Sequence, residues 1–203
     1  MPRAQQRNVR KMWPPPSPLS PEEKRALLEL ARRAIRQFIQ HEEMVEVPLV
    51  TGGLAQKCGV FVSLHHDSCL RGCIGQLQDV PGLAEGVIRC AISAARDDQR
   101  FSPVTAGEID ALEIEISVLS APRQIAAEQV IPGEHGLLIV RGPFRGLLLP
   151  QVARQLGLDR ERFLEETCRK AGLARDAWRD AETQILAFTA DVFSEAAPGE
   201  RAT

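Results

Sequence analysis

The group in this chain best suited to chemistry is a cysteine set between two glycines, Leu70-Arg71-Gly72-Cys73-Ile74-Gly75, with an arginine two residues before it. A thiolate is a strong nucleophile, and a neighbouring cation lowers the pKa at which it forms. Arg71 is therefore expected to push Cys73 below the ordinary thiol value of about 8.5. Gly72 and Gly75 let the backbone take positive φ or approach another group closely, and Ile74 should anchor the turn in the core. Three roles stay open for Cys73. It is a nucleophile, redox thiol or point of group attachment, or a ligand contact without chemistry, or a small apolar residue packed under a glycine turn, as most free cysteines are.

A second cluster, Asp98-Gln99-Arg100-Phe101, follows a helical stretch. Arg100 can clamp a carboxylate or phosphate with Asp98 orienting it, or the two can form an ion pair that pins the helix end. His65, His66 and His135 are the candidate bases for the thiol. His65-His66-Asp67 with Cys69 invites a metal reading, but adjacent histidines on a strand point to opposite faces, and Cys69-x3-Cys73 is not a zinc-knuckle spacing. A solvent-exposed hairpin tip is the simpler account, so no structural metal is expected, and no motif calls for a cofactor. Glu113 and Glu115 share one strand face, as an acid/base pair or as a solvated outer surface. Phosphate loops, dinucleotide fingerprints, nucleophile elbows and HExxH are all absent from the sequence.

The elements that must position these groups are well signalled. Ser20, Pro21 and Glu23 form a capping box ahead of Leu27, Leu30, Ala31, Ala34, Ile35 and Phe38, which share one helical stripe to about Gln40. Gly59 to Leu64 reads as a strand, His65 to Ser68 as a hairpin turn, and Cys69 to Gly75 as the return strand with a glycine-bearing bend. Pro81 should start a second helix that ends near Arg96, with Leu83, Val87, Ala91 and Ala94 on one face. Leu112 to Val118 alternates as a half-solvated antiparallel strand. Gly136 to Arg141 and Arg145 to Leu149 form a hairpin around Gly142-Pro143, both arms buried. Short helices are expected over Pro150 to Leu156 and from the Asp159 cap to Gly172, and Ile185 to Phe193 closes the domain as one strand. Strands and helices mix without βαβ alternation, so the class is α+β.

At 203 residues with a net charge of −2, the chain has one domain's length and no field that would draw nucleic acid or an anionic membrane. Residues 1–19 read as a disordered basic, proline-rich arm, residues 20–195 as the folded domain, and residues 196–203 as a frayed tail. The arm alone would support contact with nucleic acid, which is not otherwise an expected partner. Five cysteines, an odd count with no CxxC, suit a reducing compartment. With no secretory h-region and no apolar run of spanning length, the expectation is cytoplasmic, with no membrane contact.

Five stretches together give the chain a family resemblance: Gly59-Val60-Phe61-Val62-Ser63-Leu64, Leu70 to Gly75, Asp98 to Pro103, His135-Gly136-Leu137, and Leu149-Pro150-Gln151-Val152 with Lys170-Ala171-Gly172-Leu173. In this order and spacing they resemble the AMMECR domain family, component A of the AmmeMemoRadiSam system. One departure is Leu158, where many members carry Trp. The resemblance implies a two-lobed α+β single domain. It also implies association with a Memo-type protein and a radical S-adenosylmethionine enzyme, whose genes tend to accompany the family's own in prokaryotes. The candidate site is then a cleft for a small molecule or peptide, with Cys73 as reactive thiol and Arg71, Gly72, Gly75, Asp98, Arg100 and His135 as binding residues. A non-catalytic adaptor for the partner enzymes is the alternative, and a nucleic-acid-linked regulator a third.

Overall fold

The capping box at Ser20 forms and sets the direction of the first helix. In the computed structural model, which describes residues 17–77 and 82–195, the Ser20 hydroxyl accepts from Glu23 N–H at 3.2 Å and the Glu23 carboxylate accepts from Ser20 N–H at 2.9 Å. Helix α1, Pro21–His41, buries Leu27, Leu28, Leu30, Ala31, Ala34 and Ile35, and ends on Glu42 in the left-handed region. Residues 1–16 of the expected arm and the expected frayed tail, 196–203, lie outside the described residues. Leu19, read from sequence as part of the arm, is buried in the core beside α1, and Ser17 N–H donates to Gln56 Oε1 at 2.6 Å.

Two compact units carry the rest of the α+β fold. In the first, β1 (Val60–His66) and β2 (Cys69–Gln76) form an antiparallel hairpin. Asp67 and Ser68 turn it with φ of 50° and 61°, the pair of positive angles that matches strand twist in a two-residue loop. Strand β3 (Glu113–Leu119) pairs antiparallel with the other side of β1. The expected alternation on β3 holds on its apolar face, where Leu112, Ile114, Ile116 and Val118 are buried, but the other face is not solvated: Glu113 and Glu115 are only partly exposed and Ser117 is buried. Helix α2, Leu83–Arg96, covers this core face. Its expected start at Pro81 lies outside the described residues.

Gly72 and Gly75 are not at positive φ. Of the two uses expected of them, close approach is the one realised, because both sit in regular strand. A Cβ on Gly72 would lie 2.2 Å from the carbonyl oxygen of Ala94 on α2, and a Cβ on Gly75 would lie 2.1 Å from the Phe61 ring. The return strand also runs straight through the glycines, and the irregularity is one residue earlier. Pairing slips between Leu64↔Gly72 and His65↔Leu70, which leaves Arg71 as the extra residue of a bulge.

The second unit spans Leu119–Ala190. It holds β4 (Arg123–Gln124), β5 (Gly136–Arg141), β6 (Phe144–Leu148) and β7 (Gln184–Phe188) in the order β4-β7-β5-β6. Gly142, at φ 55°, turns the β5–β6 hairpin. Only β5 is mostly buried; on β6 just Gly146 is, so the expectation of two buried arms is half met. Helices α3 (Pro150–Gln155) and α4 (Arg160–Lys170) follow. Asp159 caps α4 by accepting from Arg162 N–H at 2.9 Å, and Gly172 at φ 75° ends that stretch. Phe163, Leu164 and Cys168 pack with Leu137, Ile139 and Ile185, and Leu158 rests partly buried against the same cluster.

The closing segment is two strands rather than one. After β7, strand β8 (Ala190–Ser194) joins the other sheet, whose order is β2-β1-β3-β8. The break has a local cause. Thr189 is bonded at both ends to Ser120, its N–H donating to Ser120 Oγ and its carbonyl accepting from Ser120 N–H, each at 2.9 Å. Beyond β8, Glu195 receives Arg32 of α1 at 2.7 Å, and Arg32 also donates to the carbonyls of Ile109 and Leu112. Among the described residues, no helix is long and apolar enough to cross a membrane.

Gly72→Ala should lower stability by about 1–3 kcal/mol, because its methyl meets backbone rather than a side chain that can move. Gly107→Ala, with nothing within 4 Å and no positive φ, should be neutral or slightly stabilising. Urea midpoints of the two variants test the contrast, and equal midpoints would remove close helix approach as the reason for the glycine.

Candidate functional site

The register of the β1–β2 hairpin decides which side of the sheet each motif residue takes. Val62↔Ile74 and Leu64↔Gly72 face the core and α2, so Ser63↔Cys73 and Phe61↔Gly75 face the other way. Strand β3 continues the second row, since Ser63 also pairs with Glu115. The outer face thus carries Cys73, Ser63 and Glu115 side by side. Ser63 is 6% exposed and donates its hydroxyl hydrogen to Cys73 Sγ at 3.2 Å. Cys73 itself is partly exposed.

The backbone of Cys73 is held from outside the sheet. Among the described residues β2 is an edge strand, and edge strands present unpaired N–H and C=O groups. Asp98 Oδ2 accepts from Cys73 N–H at 2.8 Å, and Arg100 Nη2 donates to the Cys73 carbonyl at 3.4 Å. Arg100 also donates to both oxygens of Asp98, at 2.9 and 2.7 Å. One ion pair therefore supplies the acceptor and the donor that a neighbouring strand would offer. Its position follows from α2, which ends at Arg96 and delivers Asp98 directly beside β2. The reading of this cluster as an ion pair is the one seen: Asp98 pairs with Arg100, and the pair pins the helix end to the strand.

Arg71 is turned away from the thiol, which corrects the expectation of a cation beside the sulfur. The bulge aims it at the loop after Asp98, where Nε donates to Glu108 Oε1 at 2.8 Å and Nη1 to the Ser102 carbonyl at 2.8 Å. Glu108 also accepts from Thr105 N–H at 2.8 Å. The Leu70–Gly75 and Asp98–Pro103 motifs are thus bonded to one another from both sides, through Arg71 in one direction and through Asp98 and Arg100 in the other.

Cys73 is pushed up from the ordinary thiol value, not down. Burial is the largest cause; the Ser63 hydrogen bond and the charge of Arg100 pull the other way, while Asp98 and Glu115 add to the rise. The resting sulfur is accordingly a protonated thiol at neutral pH. Asp98 is held down at about 2, first by the Arg100 guanidinium and then by the N–H groups of Cys73 and Arg100. Glu108 is likewise held at about 2 by Arg71 and Thr105.

Arg71, Gly72, Cys73, Gly75, Asp98 and Arg100 therefore form one constellation in the first unit. His135 does not belong to that unit; it lies in the second, where its Nδ1 accepts from Ile131 N–H at 3.2 Å. His66 sits at the hairpin end, 3.3 Å from Asp67. Among the described residues, no group of three or more His, Cys, Asp or Glu is arranged to hold a metal ion. Sequence reasoning passed over Ser63 and Glu108. Strand alternation around Val60, Val62 and Leu64 carried the signal for Ser63; nothing local signalled Glu108, thirty-seven residues from its partner.

A family model described as AMMECR1 matches residues 28–193. A protein of Thermococcus kodakarensis is 42% identical over 184 residues, covering 85% of this chain and 90% of its own length. One from Methanothermobacter thermautotrophicus is 41% identical over 187 residues, covering 88% and 97%. The crystal structure of an uncharacterised protein from Pyrococcus horikoshii superposes with a TM-score of 0.81 at 42% identity, covering 85% of this chain and 91% of that one.

Asp98 and Glu108 set an acid limit on this arrangement. A carboxyl whose folded pKa lies below its unfolded value, about 3.9 for Asp, stabilises the fold fully above that value. The contribution is lost as pH falls through about 4 towards about 2. Asp98, nearly buried, should account for about 2 kcal/mol of that loss. Urea midpoints at about pH 6 and about pH 3 should therefore separate far less in Asp98→Asn than in the parent. An unchanged pH dependence in the variant would overturn the role given to this carboxylate.

Proposed function

Because the chain belongs to the AMMECR1 family, we propose that it is the thiol-bearing component of a cytoplasmic modification pathway. In that pathway it holds a small molecule or peptide at the Cys73 face for a Memo-type protein and a radical S-adenosylmethionine enzyme. One observation carries the reading. Two motifs far apart in sequence converge on a single partly exposed cysteine, with Asp98 and Arg100 on its backbone and Ser63 on its sulfur. The backbone bonds fix where the cysteine stands, and the Ser63 hydroxyl on its sulfur is a polar contact that filling a volume does not require.

The resting thiol contacts a ligand as a weak donor; attack on an electrophile requires that it first lose its proton. A second reading, a non-catalytic adaptor, is favoured by the ion pairs. Arg71 and Arg100 are both engaged with carboxylates, so neither guanidinium is wholly free to receive an anion.

Cys73→Ala and Cys73→Ser decide between the two. If the thiol works, both variants should keep the melting midpoint and partner binding while pathway output falls about tenfold or more, in cells that carry the partner genes. Full output from both variants would leave the adaptor reading. A fall in output that tracks a fall in melting midpoint would reduce Cys73 to a packing residue.

A further inference from the structure

We propose that Ser63 is the positioning residue of this site: its hydroxyl is a built-in donor for the thiolate form of Cys73. The inference rests on the reading of Cys73 as a working thiol.

Ser63 is a buried hydroxyl in an interior strand, flanked by β2 and β3. Strand positions of this kind favour Val, Ile or an aromatic, and burying a hydroxyl costs about 1–3 kcal/mol unless a good partner satisfies it. The partner of its O–H is Cys73 Sγ. The sulfur of a neutral thiol is a weak acceptor, whereas a hydrogen bond to an ionised acceptor is roughly twice as strong. In the resting state the O–H···S bond therefore offsets little of the burial. It reaches full strength only when the sulfur carries a negative charge.

The donor is also pre-aimed. Cys73 turns its N–H and C=O outward to Asp98 and Arg100, so Ser63↔Cys73 is a pair without cross-strand hydrogen bonds. In such pairs the Cα atoms are only about 4.5 Å apart and the side chains are at their closest. Strand register, not a long flexible side chain, puts the hydroxyl on the sulfur. Among the groups whose charge reaches the thiol, Arg100 favours ionisation, and Asp98 and Glu115 oppose it. Cys90 of α2 is also within electrostatic range. Arg71 is committed to Glu108. With the charges so opposed, the hydroxyl is the neutral group that lowers the cost of forming the thiolate, against a burial that still holds the resting sulfur protonated.

The test uses the full chain with Cys69→Ser, which removes the exposed thiol of β2, and iodoacetamide as the probe. The thiolate of Cys73 displaces iodide, forming a carbon–sulfur bond as the carbon–iodine bond breaks, with the thiol proton passing to buffer. The rate is followed by peptide mass from about pH 7 to about pH 11. Ser63→Ala should move the midpoint of the pH–rate profile up by about half a unit to one unit and slow the reaction at neutral pH about threefold to tenfold. Ser63→Thr, which keeps the hydroxyl, should restore the profile, and Ser63→Val, its near-isostere, should not. The Thr and Val pair keeps the comparison valid if Ala alone perturbs the strand. A midpoint unmoved in both Ala and Val variants would overturn the proposal, as would a uniform change in rate at every pH. The outcome is separate from that of the functional reading, since Cys73→Ala with full pathway output would sink that reading and leave the shift in the profile standing.

Discussion

The site depends on one close approach, that of helix α2 to strand β2 over Gly72. Any Cβ at that position would collide with the carbonyl oxygen of Ala94, and the helix would have to stand off the sheet. The displacement would be felt two residues past the helix end, at Asp98, whose bond to the Cys73 amide is 2.8 Å long. Hydrogen bonds weaken steeply with small misplacements. A shift of about an ångström at the helix would therefore undo the rung that holds the cysteine. The absence of a side chain at Gly72 is what allows polar groups of a loop to complete the edge of a sheet.

Charge around the cysteine is paired locally and almost completely. Arg71 answers Glu108, and Arg100 answers Asp98. These pairs join the loop after α2 to the strand, so they act as ties between segments more than as a field on the thiol. The sulfur is left where burial dominates its ionisation, with the Ser63 hydroxyl donating directly to it. A thiol in that setting is protonated at rest.

The same packing device occurs in the second unit without the polar rung. A Cβ on Gly146 would lie 2.3 Å from the backbone of Ala171, just past α4. Gly136 faces the Phe188 ring across β5 and β7 as Gly75 faces Phe61. Aromatic rings laid over strand glycines fill the space a side chain would take and help to pin register. The reuse of glycine for close approach in both units shows that the device itself is structural. What sets the first unit apart is that Asp98, Arg100 and Ser63 are placed upon it.

Much of the architecture is legible in the sequence because its signals act over a turn or a hairpin. The capping box at Ser20, the apolar stripe of α1, the alternation of β3, the Asp159 cap and the Gly142 turn depend on residues within a few positions of one another. The choice of Cys73 as candidate is legible for the same reason, since the glycines and the arginine lie beside it. The partners of those residues are not legible. Arg71 finds Glu108 rather than the thiol because a bulge re-aims it, and bulges arise from the register of two strands. Thr189 breaks what reads as one strand because Ser120 binds it from sixty-nine residues away. The sequence by itself determined most of the elements and singled out Cys73 as a candidate. Only the tertiary structure decided the side of the sheet, the direction of each charge and the protonation of the sulfur, because those follow from how distant segments pack and how much water the packing removes.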